Sequence, residues 1–452
     1  MAYEIKYRSD NEMKDSGIEW LGKIPKEWEV LRNKNIFEHR PKIFNRSDNT
    51  TVLSLTIKGV KVKTDLSFGK STESYIGHQM VKRGELIFTP RDFDATPILS
   101  GIAPEDGCIS NLYFVLKTNN ITTEKYVNYY WWGLKYGYDY FKKQSYGIRY
   151  SFNQEQFSII PFIKPNTIEQ QKIANFLDIK TAEFDSIISK KEQLIEKLEE
   201  AKKSLISEVV TGKVKIVDGE LVDRKPEEMK DSGVEWLGMI PRDWGTVKLK
   251  LINEVKDGTH DTPLYVDEDT DTYPLITSRN VVNGELDFTN AKFISRKDHK
   301  KIITRSNVSK GDIIMPMIGT VGNPAIVMAD REFSIKNVAL FKRGKIILNK
   351  YLNYLLNSAL IEYQLKLFSR GGVQNFVSLD ILRNLVVLKN KIDEQKIIVD
   401  VLDSEIYKLN NVIAKTKHQI TKLKEAKQSL ISEAVTGKID LRDWEIIESG
   451  GR

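Results

Sequence analysis

Apolar residues recur every seven positions in two long stretches of this chain. In the first, Leu177, Phe184, Lys191, Leu198 and Leu205 fall seven apart, with Ile187, Leu194 and Ala201 interleaved three further on. In the second, Leu402, Leu409, Thr416, Leu423 and Leu430 repeat the pattern, with Val412, Gln419 and Ala426 interleaved. This spacing predicts a helix with an a/d seam held over about four heptads, and Ile188, Ile195, Ile406, Ile413 and Ile420 widen the stripe. Gly212 and Gly437, each beside a lysine, stand where a helix would end. Each predicted helix runs roughly 40 residues, or about 60 Å at 1.5 Å per residue. Such a stripe has to be buried, and the natural partner is the other helix. Antiparallel pairing would project the flanking blocks from opposite ends and create a pseudo-two-fold axis within one chain, whereas parallel pairing would bring both blocks to one end.

Between the helical stretches the period shortens towards two. TVLSLTI (51–57), GELIFTP (84–90), LYFVLK (112–117), YPLITSRNV (273–281), GDIIMPMIGTVG (311–322) and IKNVALFKR (335–343) read as short strands separated by turns. KYVNYYWWGLKYGYDYF (125–141) and residues 349–368 read as helices. Both blocks close alike, with SYGIRYSFNQEQFSIIPF at 145–162 and SRGGVQNFVSLDILRNLVVL at 369–388, each placing a Gly-containing loop with Arg and Gln or Asn before a final apolar strand. The expected fold class is α+β, with two mixed α/β domains joined by two long coiled-coil helices; the periodicity leaves open whether these pair antiparallel or parallel.

Direct repetition supports this division. KDSGIEWLGKIPKEW (14–28) returns as KDSGVEWLGMIPRDW (230–244), IEQQKI (168–173) as IDEQKI (392–397), and AKKSLISEVVTGKV (201–214) as AKQSLISEAVTGKI (426–439). The offset grows from 216 to 225, so the second block is the longer. The expected boundaries are 1–165 for the first domain with its Trp-rich lead-in, 166–213 for the first long helix, and 214–391 for a linker, the repeated lead-in and the second domain. The second helix follows at 392–440 and a tail at 441–452.

Composition changes the picture little, and charge changes it more. The chain has 452 residues, 40% hydrophobic and 29% charged, ordinary for a folded soluble protein. Its single cysteine, Cys108, excludes an internal disulfide framework and fits a reducing cytosol. No apolar run approaches the roughly 20 residues that span a membrane, and the opening MAYEIKYRSD lacks a signal peptide's apolar core, so a cytoplasmic protein is expected. The net charge of +7 is unevenly spread: residues 29–165 carry +6, residues 245–391 carry +7, and the remainder sums to −6. Two confined positive surpluses point to two surfaces that meet a polyanion.

Catalytic signatures are absent. FGKST (68–72) ends like a phosphate-binding loop, but Thr64 stands where its first glycine is required. The five histidines (39, 78, 260, 299, 418) are scattered, without HExxH or a cysteine pair, so no metal site is expected. Asn323-Pro324 is followed by Ala325-Ile326, unlike the Pro-aromatic pair of an amino-methyltransferase, and Glu4-Ile5-Lys6 matches the end of a nuclease motif with no acidic partner upstream.

With the two KDSG[IV]EWLGxIPxxW lead-ins, IEQQKI and IDEQKI, AKxSLISExVTGK twice, DGTHDTP (257–263) and GTVGNPAIV (319–327), the chain resembles a specificity subunit of a type I restriction-modification system over nearly its whole length. The resemblance implies two target-recognition domains, each reading one half of a bipartite asymmetric site in double-stranded DNA, joined by two long antiparallel coiled-coil helices in an internal pseudo-two-fold repeat, with the helices as a ruler for the gap. It implies docking of two methyltransferase subunits on the helices, two restriction/translocase subunits in the full complex, and no catalysis by this subunit. It places no cofactor here: S-adenosylmethionine would belong to the methyltransferase partner, and ATP and Mg²⁺ to the restriction partner. A coiled-coil adaptor whose basic blocks bind acidic proteins, without DNA recognition, is the alternative, and an enzyme in its own right a third.

Expected DNA-binding residues are Lys58, Lys61, Arg91, Arg149, Tyr150, Asn153 and Gln154 in the first domain. In the second they are Thr277, Ser278, Arg279, Asn280, Thr320, Arg370, Gln374 and Asn375. These are residue types that contact phosphates and base edges. The same types also shape structure: Asn153 and Gln154 suit a helix start, Thr320 a tight turn, and Gly147, Gly371 and Gly372 the loops themselves, while Trp131, Tyr138 and Tyr140 suit a core. In the lead-ins, Trp20, Leu21, Ile24 and Trp28, echoed by Trp236, Leu237, Ile240 and Trp244, either dock each domain on the helices or help hold a methyltransferase subunit.

Overall fold

The computed structural model describes residues 5–64, 74–93, 97–145, 150–319, 321–368 and 376–445. Five helices matter most: α1 (Glu124–Tyr138), α2 (Thr167–Val210), α3 (Arg296–Ser306), α4 (Asn349–Leu356) and α5 (Ile392–Val435). The chain divides into two compact units, one of residues 1–192 with 417–452 and one of residues 193–416, so each long helix contributes to both.

In the first unit the lead-in forms a hairpin, Met13–Asp15 against Lys23–Pro25. Glu29–Arg32 then pairs antiparallel with Pro161–Lys164, joining the start of the domain to its last strand. Between them lie a three-stranded sheet (Leu86–Phe88 flanked by Ser100–Ile102 and Phe114–Leu116), the hairpin Leu53–Thr56/Gly59–Val62, and α1. The core is aromatic: Phe88, Phe93, Trp131, Phe141, Phe152 and Phe157 are buried together, with Phe88 edge-on to Trp131 at 5.0 Å. Where they meet in this unit, the long helices run in opposite directions. Lys427 reaches Asp185 at 2.7 Å and Lys191 reaches Gln419 at 2.7 Å, so one number falls as the other rises.

The second unit repeats the frame. Met229–Asp231 pairs with Met239–Pro241, and Gly245–Lys248 pairs antiparallel with the last strand, Val386–Lys389. Two four-stranded sheets fill the interval, one containing Val255–Asp257, Val338–Phe341, Ile313–Pro316 and Ala325–Ile326, the other Tyr265–Val266, Lys292–Ser295, Thr272–Ile276 and Ser334–Ile335. The stretch 349–368, expected as one helix, is two: α4 ends at Leu356 and a second begins at Ala359, its first N–H held by Ser207 Oγ at 2.8 Å.

Both units hang on the long helices by the same contacts. Trp28 Nε1 donates to Glu169 Oε2 at 2.9 Å, and Trp244 Nε1 to Glu394 Oε2 at 2.9 Å. Arg8 pairs with the first of these carboxylates and Arg224 with the second. Burial pushes the Glu169 carboxyl above its ordinary value, and Arg8 and the Trp28 indole pull it back. Tyr129 and Lys125 both bind Asp178 (2.8 and 2.6 Å), as Tyr354 and Lys350 bind Asp403 (2.5 and 2.8 Å). Gln170 Oε1 accepts from the Thr123 N–H at 3.0 Å, and Gln395 Oε1 from the Leu348 N–H at 2.9 Å. The helices end at Gly212 (φ +73) and Gly437 (φ +74), where a Cβ would lie 2.3 Å from Pro241 and Pro25 respectively. Only glycine meets both demands, the left-handed backbone and the close lead-in proline.

Two details of the repeat differ from the expectation. The seam alternates four then three: Thr181, Phe184, Ile188, Lys191, Ile195 and Leu198 on α2, and Ile406, Leu409, Ile413, Thr416, Ile420 and Leu423 on α5, are buried or half-buried, whereas Ile187, Leu194, Ala201, Val412, Gln419 and Ala426 are exposed. Adjacent apolar pairs such as Ile187-Ile188 and Leu194-Ile195 satisfy either spacing in sequence, and packing selects the second member. Likewise IEQQKI and IDEQKI match as strings at an offset of 224, but the Trp-bound glutamates, Glu169 and Glu394, stand 225 apart.

Candidate nucleic-acid interface

Arg149, Thr320, Arg370, Gln374 and Asn375, and the loop glycines Gly147, Gly371 and Gly372, lie outside the described residues. The other expected contacts fall into three groups. On the first unit's hairpin, Lys58 sits in the turn, its N–H donating to Thr56 Oγ1 at 3.1 Å, and Lys61 faces Ser54 across the strands; both lysines are exposed. Beside them Ile57 is 60% exposed, an apolar tip between cations.

Around Arg91 the chain makes a cleft of about 250 Å³ lined by Pro90, Arg91, Ser151 and Phe152, closed by the Phe152 N–H donating to the Pro90 carbonyl at 2.7 Å. Asp92 (φ 60) and Tyr150 (φ 41) flank it, two non-glycine residues in the left-handed region where side chains are disfavoured. Lys142 lies over the Tyr150 ring at 5.8 Å. Next along the chain, Asn153 caps the helix Gln154–Ser158: its Oδ1 accepts from the Gln156 N–H at 2.8 Å while Gln156 Oε1 accepts from the Asn153 N–H at 2.9 Å. Gln154 is exposed at the first helical position. Trp131 is fully buried, and Tyr138 and Tyr140 pack on Trp20 at 5.2 and 4.8 Å.

In the second unit several loops converge on one strand end, residues 335–337. The Lys336 N–H donates to the Ile276 carbonyl at 2.9 Å, the Thr259 N–H to Ile335 at 3.0 Å, and the Asn337 N–H to Thr259 at 3.1 Å. These bonds bring DGTHDTP against the turn Thr277–Asn280. Asn280 is spent on that turn, accepting from Thr277 Oγ1 at 2.9 Å and donating to the Asp287 carbonyl at 3.1 Å, whereas Arg279 is exposed and Ser278 half-buried. Asp257, itself buried, accepts from Arg305 Nη2 at 2.5 Å, and its other oxygen lies 2.9 Å from His260 Nε2. Gly258 admits no side chain, because a Cβ would lie 2.4 Å from the Ile335 carbonyl. The hairpin Val281–Val282/Glu285–Leu286 packs on the strands before and after the GTVGNP loop, where Gly319, Gly322 and Asn323 all take positive φ.

Comparison with known proteins follows this geometry. Residues 241–422 match the family described as type I restriction modification DNA specificity domain. The chain is 22% identical over 457 aligned residues to the MjaVIII specificity subunit of Methanocaldococcus jannaschii, covering 97% of this chain and 98% of that one. The chain is thus similar to type I restriction-modification specificity subunits, by the family model over residues 241–422 and by the archaeal relative over nearly its whole length. The EcoBI specificity subunit of Escherichia coli is 24% identical over 287 residues, 63% of this chain, and that match spans 59% of the relative's length. A solved chain, from work on complex assembly and conformational transition of the type I restriction-modification system, shares the fold: TM-score 0.64 at 13% identity, covering 91% of this chain and 98% of that one. Among the described residues, no helix is long and apolar enough to cross a membrane.

Part of the candidate site was missed in the sequence. Lys125-Tyr126 with Asn128-Tyr129, and Lys350-Tyr351 with Asn353-Tyr354, repeat at the helix offset of 225, a signal that could have located the docking tyrosines. The helix α3, RKDHKKIITRS, was not expected, because its apolar face is only His299, Ile302 and Ser306.

Proposed function

We propose that this chain is the non-catalytic DNA-reading member of a type I restriction-modification complex. Each unit carries one target-recognition domain for half of a bipartite, asymmetric site in double-stranded DNA, and the paired helices set the gap. The observation that carries the reading is the contrast within the repeat: Trp–Glu, Arg–Glu, Tyr–Asp and Gln contacts to the helices recur in both units, while the hairpin Leu53–Thr56/Gly59–Val62 of one unit and the Thr277–Asn280 turn of the other, among the described residues, are built differently. A constant frame around divergent loops suits one assembly that reads two different half-sites. Arg91, Tyr150, Lys58 and Lys61 on one unit, and Ser278 and Arg279 on the other, are the described residues we assign to DNA; Gln154, Thr277, Asn153 and Asn280 support them, the asparagines chiefly as caps.

Two methyltransferase subunits dock on the helices, where Ile187, Leu194 and Val412 stay 44–46% exposed outside the seam, and two restriction/translocase subunits complete the complex. The chain holds no cofactor of its own; S-adenosylmethionine belongs to the methylating partner, ATP and Mg²⁺ to the restricting one. Sequencing native DNA from cells with and without this chain tests the reading. A split methylation motif that disappears with the chain is expected, and an unchanged methylome would defeat it.

A further inference from the structure

We propose that the second unit grips the DNA phosphate backbone through the outer face of α3, with Lys297, Lys300 and Lys301 as its phosphate contacts and Arg305 positioned beside them by Asp257. The inference rests on the DNA-reading function proposed above and assigns it a surface that the recognition-loop candidates do not include.

The helix carries Arg296, Lys297, Lys300, Lys301 and Arg305 against Asp298 alone. Its inner face, His299, Ile302 and Ser306, is buried, which turns Lys297, Lys300 and Lys301 to solvent. Several other cations of this unit are paired: Arg296 with Asp271, Lys310 with Asp330, Lys342 with Asp312, Lys350 with Asp403. The three lysines of α3 have no ion pair among the described residues. Lys297 and Lys301, four residues apart, are separated by about 6 Å along the helix, close to two steps of one DNA strand at about 3.4 Å each.

Placement makes the charge useful. The cleft between α3 and the DGTHDTP loop, about 330 Å³, is lined by Thr259, Thr262, Lys301 and Arg305 together with Asp261 and Asp298. Its charges balance, so the cleft itself does not favour a small free anion; the unpaired lysines above it face an extended polyanion. Arg305 is held by buried Asp257 yet its side chain stays 56% exposed, so its orientation is set before any ligand arrives. Through Thr259 and Lys336 the same loop is bonded to the strand end that carries Thr277–Asn280. A duplex lying on α3 therefore passes the turn that presents Arg279.

The test compares the full chain with its K297A/K300A/K301A variant, using one duplex that carries the methylated motif and one of unrelated sequence, over a range of salt concentration. Each phosphate contact contributes about 0.9 to the slope of log affinity against log salt. The variant should lose about 2 to 3 from that slope, weaken on both duplexes alike, and leave the motif unchanged, while K297R/K300R/K301R should retain the slope. A wild-type slope with no change in the alanine variant overturns the grip but leaves DNA reading intact. Absence of salt-dependent binding by the wild-type chain overturns both. Loss of partner-subunit assembly with an unchanged DNA slope assigns the face to a protein and also overturns it. The lysines are exposed, and circular dichroism checks that the variants fold.

Discussion

The two units share a frame and differ in nearly everything it holds. In the first, the domain's core is built of aromatic rings around Phe88 and Trp131; in the second, of Ile313, Met315, Leu352, Leu355 and Leu385. Yet Trp28 and Trp244 reach equivalent glutamates at the same 2.9 Å. Cores can be exchanged for others of suitable volume and pattern, whereas an indole N–H aimed at a carboxylate depends on one donor in one place. Constancy therefore concentrates in the directional contacts, and variation in the non-directional ones.

The largest expected effect tests whether the frames are energetically equal. Trp28→Ala and Trp244→Ala each remove a buried ring, worth about 3–5 kcal/mol, and leave a glutamate short of a donor. Denaturant unfolding with hydrogen exchange resolved by segment should show each loss centred on its own unit; a silent change at either site would break the equivalence. Next comes the approach of α1 to α5 in the first unit. A Cβ on Gly133 would lie 2.4 Å from Val435 Cγ2, so Gly133→Ala should cost about 1–3 kcal/mol. Val435→Ala in the same chain should recover part of that loss. At the corresponding place in the second unit, Ser358 already carries a side chain, bonded to the Leu355 carbonyl at 2.6 Å, and Ser358→Ala should cost about 1 kcal/mol or less. Calorimetry distinguishes the two, and equal costs would count against a closer packing in the first unit.

The smallest effect concerns how each helix end is fastened. After Gly437, Asp440 and Glu12 share Arg442, whereas after Gly212 the chain makes the same connection with Lys215 bonded directly to Glu228 at 2.6 Å. The Arg442 guanidinium holds the Asp440 carboxyl down to about 2, from an ordinary 3.8. A carboxyl lowered in the folded state contributes stability that is fully present above the unfolded value and is lost as pH falls through the folded one. This fastening should therefore persist to about pH 4 and fail between about 4 and 2. Carboxyl resonances followed by NMR should show Asp440 titrating near 2, and Arg442→Ala should move that titration upward without touching Glu228.

Much of this arrangement is legible in the sequence. The Trp-rich lead-in, the heptads and the Thr-Gly-Lys endings were visible because each encodes a local geometry: a hairpin, a stripe, a left-handed helix stop. The interface was less so. In sequence Asn153 suits a DNA contact or a helix start and Asn280 a DNA contact; in the fold both take part in capping boxes, because one side chain can serve either purpose and the neighbouring N–H groups are set by the tertiary structure. The α3 lysines enter the sequence reading only within the surplus of residues 245–391, because with so narrow a buried face the segment shows little helical period.

By itself the sequence determined that the chain is a duplicated plan, where its helices stop, and which segments could differ. Tertiary structure alone decided which member of each adjacent apolar pair enters the seam, that Glu169 and Glu394 are the points where the lead-ins attach, and that DGTHDTP, the Thr277–Asn280 turn and α3 come together. The reason is physical: periodicity and backbone preference act within a few residues of the chain, whereas burial and hydrogen-bond partnership depend on groups tens to hundreds of residues away, from 48 for Arg305–Asp257 to 228 for Lys191–Gln419.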